Sequence, residues 1–170
     1  MNSSIGISNR VLAVDPSPRG LGFVILEGPQ SLIEWGVREV RAKKKNAGTL
    51  REMESLIESY EPDVVVIEDC GDKECSRGPR VRHLIQKICK LSTSKRVKIR
   101  RFSVRTVRAV LSGSPTSTKH QIATIVAMRF PELVPRLPAL RKPWMSETYR
   151  TDVFDAMALA LTFFSNSQSA

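Results

Sequence analysis

Histidine is scarce in this 170-residue sequence, which has two, and cysteine is nearly so, with three. Two histidines are too few for a convincing Ser-His-Asp site, and no glycine-rich phosphate loop is present. Cys70, Cys75, His83 and Cys89 match no usual zinc spacing, and the last two fall inside a predicted helix. An odd cysteine count suits a reducing compartment and predicts an intracellular protein, cytoplasmic or nucleoid-associated. Long apolar runs are missing too. The longest, near Ala156 to Phe164, is too short to span a bilayer and holds Thr162. Residues 1–9 carry no basic region followed by an apolar stretch, so no signal peptide is predicted.

The most informative absence is of acids. From Cys75 to Pro131 there is none, while the same stretch holds fourteen Lys and Arg, among them Arg77, Arg80, Arg82, Lys87, Arg100, Arg101, Arg105, Arg108 and Lys119. A run of charge is usually a solvated face. Over so long a span without acids, with a net charge of +10 and a pI near 10.0, contact with a polyanion is the stronger reading, and nucleic acid leads. The length and the 41% hydrophobic content predict one soluble domain over residues 1–170, able to bury a core without disulfides.

What is present begins with Arg10-Val11-Leu12-Ala13-Val14-Asp15-Pro16-Ser17, a buried strand that ends in an acid and then turns. Asp15 there is either a metal-binding position or a cap for the turn. Leu21 to Leu26 and Ser31 to Val40 read as two further strands of an antiparallel meander. Leu50, Met53, Leu56 and Ile57 put a helix over Ala47 to Tyr60. Val64-Val65-Val66-Ile67 is a second continuous apolar run, a buried parallel strand, and it too ends in acid at Glu68. A helix over Val81 to Leu91, a strand over Val97 to Phe102 and helices over Val104 to Leu111 and Lys119 to Phe130 follow. Thr118 and Gln121 form a capping box, which sets Lys119 in a first turn where the helix dipole disfavours a cation. Prolines at 131, 135, 138 and 143 predict a loop with Trp144 and Tyr149 near its end. Thr151 then caps a last helix with Val153, Met157, Ala160 and Phe164 on one stripe and Asp152 and Asp155 in its first turn. Alone, that pair reads as dipole complementation by exposed acids.

Together, Asp15, Glu68, Asp152 and Asp155 come from two central strand ends and one helix start. Carboxylates brought close would protonate unless a cation joined them. An all-oxygen set prefers hard cations, so Mg²⁺, with Mn²⁺ as substitute, is implied, and two such ions about 4 Å apart suit in-line phosphoryl displacement.

The segments Val11-Leu12-Ala13-Val14-Asp15-Pro16-Ser17, Val64-Val65-Val66-Ile67-Glu68 and Asp152-Val153-Phe154-Asp155-Ala156-Met157-Ala158-Leu159-Ala160 resemble the RuvC-like Holliday-junction resolvases, nucleases of the RNase H-like superfamily. The resemblance implies an α/β fold with a mixed five-stranded sheet, its first three strands antiparallel, and helices on both faces. It implies a homodimer placing paired nicks across four-way, branched double-stranded DNA, in recombination and repair. By motif position, Asp15 would bridge two metal ions, Glu68 would ligate one and position water, Asp152 and Asp155 would complete the set, and Lys119 would stand near the scissile phosphate. Two departures are plain: bacterial members usually carry an aromatic shortly after the strand-ending Glu, where Asp69 to Glu74 contains none, and the proline-rich connection before the last helix is longer, with Trp144 and Tyr149 added. A nuclease of the same fold acting on other branched or nicked nucleic acids, and a catalytically silent basic binder, are the alternatives.

Overall fold

A computed structural model describes residues 9–41, 43–71, 73–140, 142, 144 and 151–168. Three strands open it, β1 (Arg10–Ser17), β2 (Gly20–Glu27) and β3 (Leu32–Glu39). Helix α1 (Lys45–Tyr60), strand β4 (Val64–Glu68), helix α2 (Pro79–Ser94) and strand β5 (Lys98–Phe102) follow. Helices α3 (Val104–Ser112), α4 (Lys119–Arg129) and α5 (Asp152–Gln168) complete the chain. The sheet order is β3-β2-β1-β4-β5, with β3, β2 and β1 antiparallel and β4 and β5 parallel to β1. The mixed sheet with an antiparallel meander and helices on both faces is therefore as expected.

Side-chain alternation decides which acid meets which helix. Along β1, Leu12 and Val14 join Val65 and Ile67 of β4 against α1 and α2, while Val11, Ala13, Val64 and Val66 join α3, α4 and α5 on the other face. With a period of two, Asp15 and Glu68 fall on the α5 face. Both central strands are covered on both sides, which is why they read as unbroken apolar runs rather than alternating ones.

The predicted stripe on the last helix is too narrow. Phe154, Ala158 and Leu161 are buried as fully as Val153 and Met157, because α5 lies between the sheet and the α3–α4 pair. The proline-rich stretch forms a 3₁₀ helix, Pro131–Arg136, seated on Leu133, rather than a plain loop. Capping of α4 is as expected, with the Thr118 hydroxyl accepting from the Gln121 amide and the Gln121 side chain accepting from the Thr118 amide. Tyr149 lies outside the described residues. Trp144 is exposed, with the Lys142 ammonium 5.4 Å from its ring centroid. Among the described residues, no helix is long and apolar enough to cross a membrane.

Candidate active site

The parallel neighbours β1 and β4 end side by side, and the chain leaves them in different directions, β1 turning into β2 and β4 running on toward α2. A crevice outside the carboxyl ends of such strands is where open α/β sheets take ligands. Here a cavity of about 60 Å³ is lined by Asp15, Glu68, Arg77, Phe102, Arg108, Lys119 and Asp155, with an apolar wall from α3 to α5. Asp155 comes from the first turn of α5, and Asp152, one turn away and almost fully buried, sits behind it against the sheet.

A glycine makes that approach possible. Gly22 of β2 lies opposite Asp15 in the antiparallel register. A Cβ built on it would stand 2.5 Å from both the carbonyl carbon and the Cβ of Asp152. The first turn of α5 thus rests on bare backbone, the close approach that an isolated glycine in a strand marks. Sequence reasoning passed over Gly22. The signal was there, in a glycine set within an otherwise apolar strand.

The acids carry strained electrostatics. Burial pushes the Asp15 carboxyl well up from the usual carboxylate range; Arg77 opposes it, and Asp155, Asp152 and Glu68 add to it. Asp152 is pushed up to about 6, chiefly by burial, against a hydrogen bond from Ser17 and with the Asp155 charge adding. One oxygen on each, Asp15 Oδ2 and Asp152 Oδ2, is buried without a hydrogen-bond partner. Buried oxygens with no donor are costly. In an all-carboxylate set they fit a hard divalent cation.

The principal neutralising group is Arg77, from the loop between β4 and α2. Its Nη2 donates to Asp15 Oδ1 at 2.5 Å, its Nε to Glu68 Oε2 at 2.7 Å and its Nη1 to the Pro16 carbonyl at 3.1 Å. Burial works against the guanidinium, but the two carboxylates outweigh it and hold its pKa further up. Lys119 Nζ reaches Asp155 Oδ2 at 3.4 Å from the start of α4.

The remaining predicted basic residues divide. Arg108 lines the cavity, and Arg105 stands beside Glu68 in an adjoining depression and pairs with Glu74 at 3.5 Å. Arg82 serves the loop itself, donating to the carbonyls of Arg77 and Cys75, and Arg80 donates to Asn46 and to the Pro18 carbonyl. Lys87 on α2 and Arg100 and Arg101 on the edge strand β5 are exposed and line neither space. Cys70 and Cys75 are joined as a disulfide across the same loop, Cys89 is free and buried, and His83 is exposed on α2. The bridge was not foreseen from the odd cysteine count.

No family model matches the chain. The crossover junction endodeoxyribonuclease RuvC of Thermomicrobium roseum is 26% identical over 171 residues, covering 95% of this chain and 96% of that protein. The likeness to that RuvC runs over nearly the whole chain. Solved structures agree on the fold. The RuvC of Thermus thermophilus in complex with a Holliday junction superposes with a TM-score of 0.69 at 16% identity, over 95% of this chain and 96% of that one. The fowlpox virus resolvase, solved with substrate Holliday junction DNA, superposes with a TM-score of 0.56 at 14% identity, over 92% of this chain and 99% of that one.

Proposed function

We propose that residues 1–170 form one divalent-metal-dependent endonuclease domain that, as a homodimer, resolves four-way DNA junctions by paired phosphodiester hydrolysis. The observation that carries this is the meeting of two buried strand-end acids with the first turn of α5 at one cavity, two of their oxygens lacking any donor, beside Arg77, Arg108 and Lys119. The RuvC likeness along 95% of the chain supports the substrate class.

Asp15, Glu68, Asp152 and Asp155 would hold Mg²⁺, or Mn²⁺ in its place, with two ions as the proposed complement. Such ions supply an activated water and stabilise the leaving oxygen of an in-line displacement. The protein's own part is to hold the acids at fixed points. Asp15 is held by β1–β2 pairing opposite Gly22, Glu68 by β4–β5 pairing opposite Phe102, and Asp152 and Asp155 by a helix start seated on Gly22. Lys119, already within 3.4 Å of Asp155, would face the scissile phosphate, and Arg108 would hold the backbone nearby. Buried acids and a basic rim divide the work: the rim binds, the acids cut.

The test pairs a synthetic four-way junction with a linear duplex of the same sequence, in Mg²⁺ and in chelator, for the wild type and Asp152→Asn. Paired nicks on the junction alone, lost in chelator and in the variant, are expected. Equal cutting of both substrates would remove the junction selectivity. Tight binding without cutting would replace the enzyme by a silent binder.

A further inference from the structure

We propose that Arg77 is the resident cation of this site, and that a divalent metal enters by displacing its guanidinium from Asp15 and Glu68. This rests on the metal-site reading above and adds what the site does before metal arrives. Three nitrogens of Arg77 are spent on the two strand ends, on Asp15 Oδ1, Glu68 Oε2 and the Pro16 carbonyl. The first two acceptors are atoms that a metal ion bound by both strands would use. A planar fork suits two carboxylates at once, and a second cation contesting the same oxygens is repelled.

The spacing of the acids agrees. Among the described residues, the one set of three potential ligands whose atoms all lie within 4.8 Å of one another is Glu68, Cys70 and Cys75, and the two cysteines are joined in a disulfide. Asp15 and Glu68 are bridged by the guanidinium and Asp155 pairs with Lys119, so among the described residues no three carboxylates close on a common point.

The local build also separates a backbone tied by its own bonds from a side chain held through its guanidinium. The Arg77 carbonyl is held by Arg82 Nε at 2.8 Å, and the Cys70–Cys75 bridge and a second Arg82 bond to Cys75 tie down the loop just before it. The side chain keeps 20% of its surface exposed. After it comes Gly78, around whose missing Cβ there is open space. On this proposal the guanidinium moves when metal enters and the tied loop stays in place.

The experiment measures Mn²⁺ binding to the full chain without DNA, from the free-ion signal in electron paramagnetic resonance. It compares the wild type, Arg77→Gln, Arg77→Lys and Asp15→Asn. Arg77→Gln should bind Mn²⁺ about tenfold more tightly than the wild type, a gain of about 1.4 kcal/mol. Arg77→Lys, with a charge but no fork, should fall between them and serves if the glutamine variant does not fold. Equal or weaker Mn²⁺ affinity in both Arg77 variants would overturn the displacement. Mn²⁺ binding unchanged by Asp15→Asn, or absent from the wild type and both Arg77 variants, would instead overturn the metal site and the displacement with it. A second readout guards against a merely structural arginine. Mn²⁺ should raise the melting temperature of Arg77→Gln more than that of the wild type, and an equal or smaller rise counts against displacement.

Discussion

Replacing Gly22 with alanine tests the geometry of the site through one methyl group. The new Cβ would lie 2.5 Å from two atoms of Asp152, where ordinary contact begins at 3.4 Å. Roughly 1 Å must be found. The atoms in the way are the backbone and Cβ of Asp152, so no flexible side-chain end can swing aside. Helix α5 is held by Phe154 and Met157, both essentially without solvent exposure. Such overpacking costs about 1–3 kcal/mol, against about 0.4–1 kcal/mol recovered from the stiffer unfolded chain. At about 1.3 kcal/mol net, a domain of this size loses about 3–5 °C of melting temperature. Activity should suffer more, since a displacement of about 1 Å at a reacting centre costs about a hundredfold in rate. Circular-dichroism melts and single-turnover nicking of a four-way junction measure both. Gly36→Ala on β3 is the control, because its Cβ meets only the edge of the Phe23 ring, at 3.2 Å. Nicking by Gly22→Ala within threefold of the wild type would show that the approach of α5 to β2 does not set the chemistry, and the reasoning would fail.

The site's charge should be readable in stability against pH. A folded Asp152 with a pKa of about 6, against 3.8 unfolded, keeps a proton that the unfolded chain has released between those values. Stability in chelator therefore falls as pH rises through about 4 to 6, with Asp152 and the acid coupled to it titrating together. Asp152→Asn should flatten that limb of the curve, and an unchanged slope in the variant would refute the assignment. Arg108→Ala and Lys119→Ala should each weaken junction binding and reduce the slope of log K against log salt by about 1, read by fluorescence anisotropy in chelator. Unchanged slopes would remove those residues from the DNA surface. Reducing the Cys70–Cys75 bridge should lower the melting temperature by about 4–8 °C, from the roughly 2 kcal/mol that a ring this small takes out of the unfolded chain. Cys75→Ser should abolish the response to reductant, and three reactive thiols in the untreated, denatured protein would show that the bridge does not form.

The sheet was legible because its central strands are covered on both faces. Val11 to Val14 and Val64 to Ile67 could be unbroken only if helices lay on both sides, and each run pointed at the acid that ended it. The outer elements were harder to read. On α5, burial on every side turned what looked like one stripe into a helix with almost no exposed face, and Asp152, readable alone as an exposed dipole partner, became a buried acid. Such burial depends on α3 and α4 arriving from elsewhere in the chain, which local periodicity does not record. Arg77 shows the same limit in charge. In sequence it is one of fourteen basic residues in a span without acids, and counting them points outward, to a polyanion. Yet a chain of net charge +10 that buries acids on neighbouring strand ends needs a cation within reach of both, or those acids take up protons. Nine residues past Glu68, on a loop tied by its own disulfide, Arg77 has that reach. Arg80 and Arg82, three and five residues further on, turn to the backbone instead. A basic run is thus no single surface: its members are sorted by which oxygens each can reach, and here the nearest carboxylates claim theirs before any phosphate arrives.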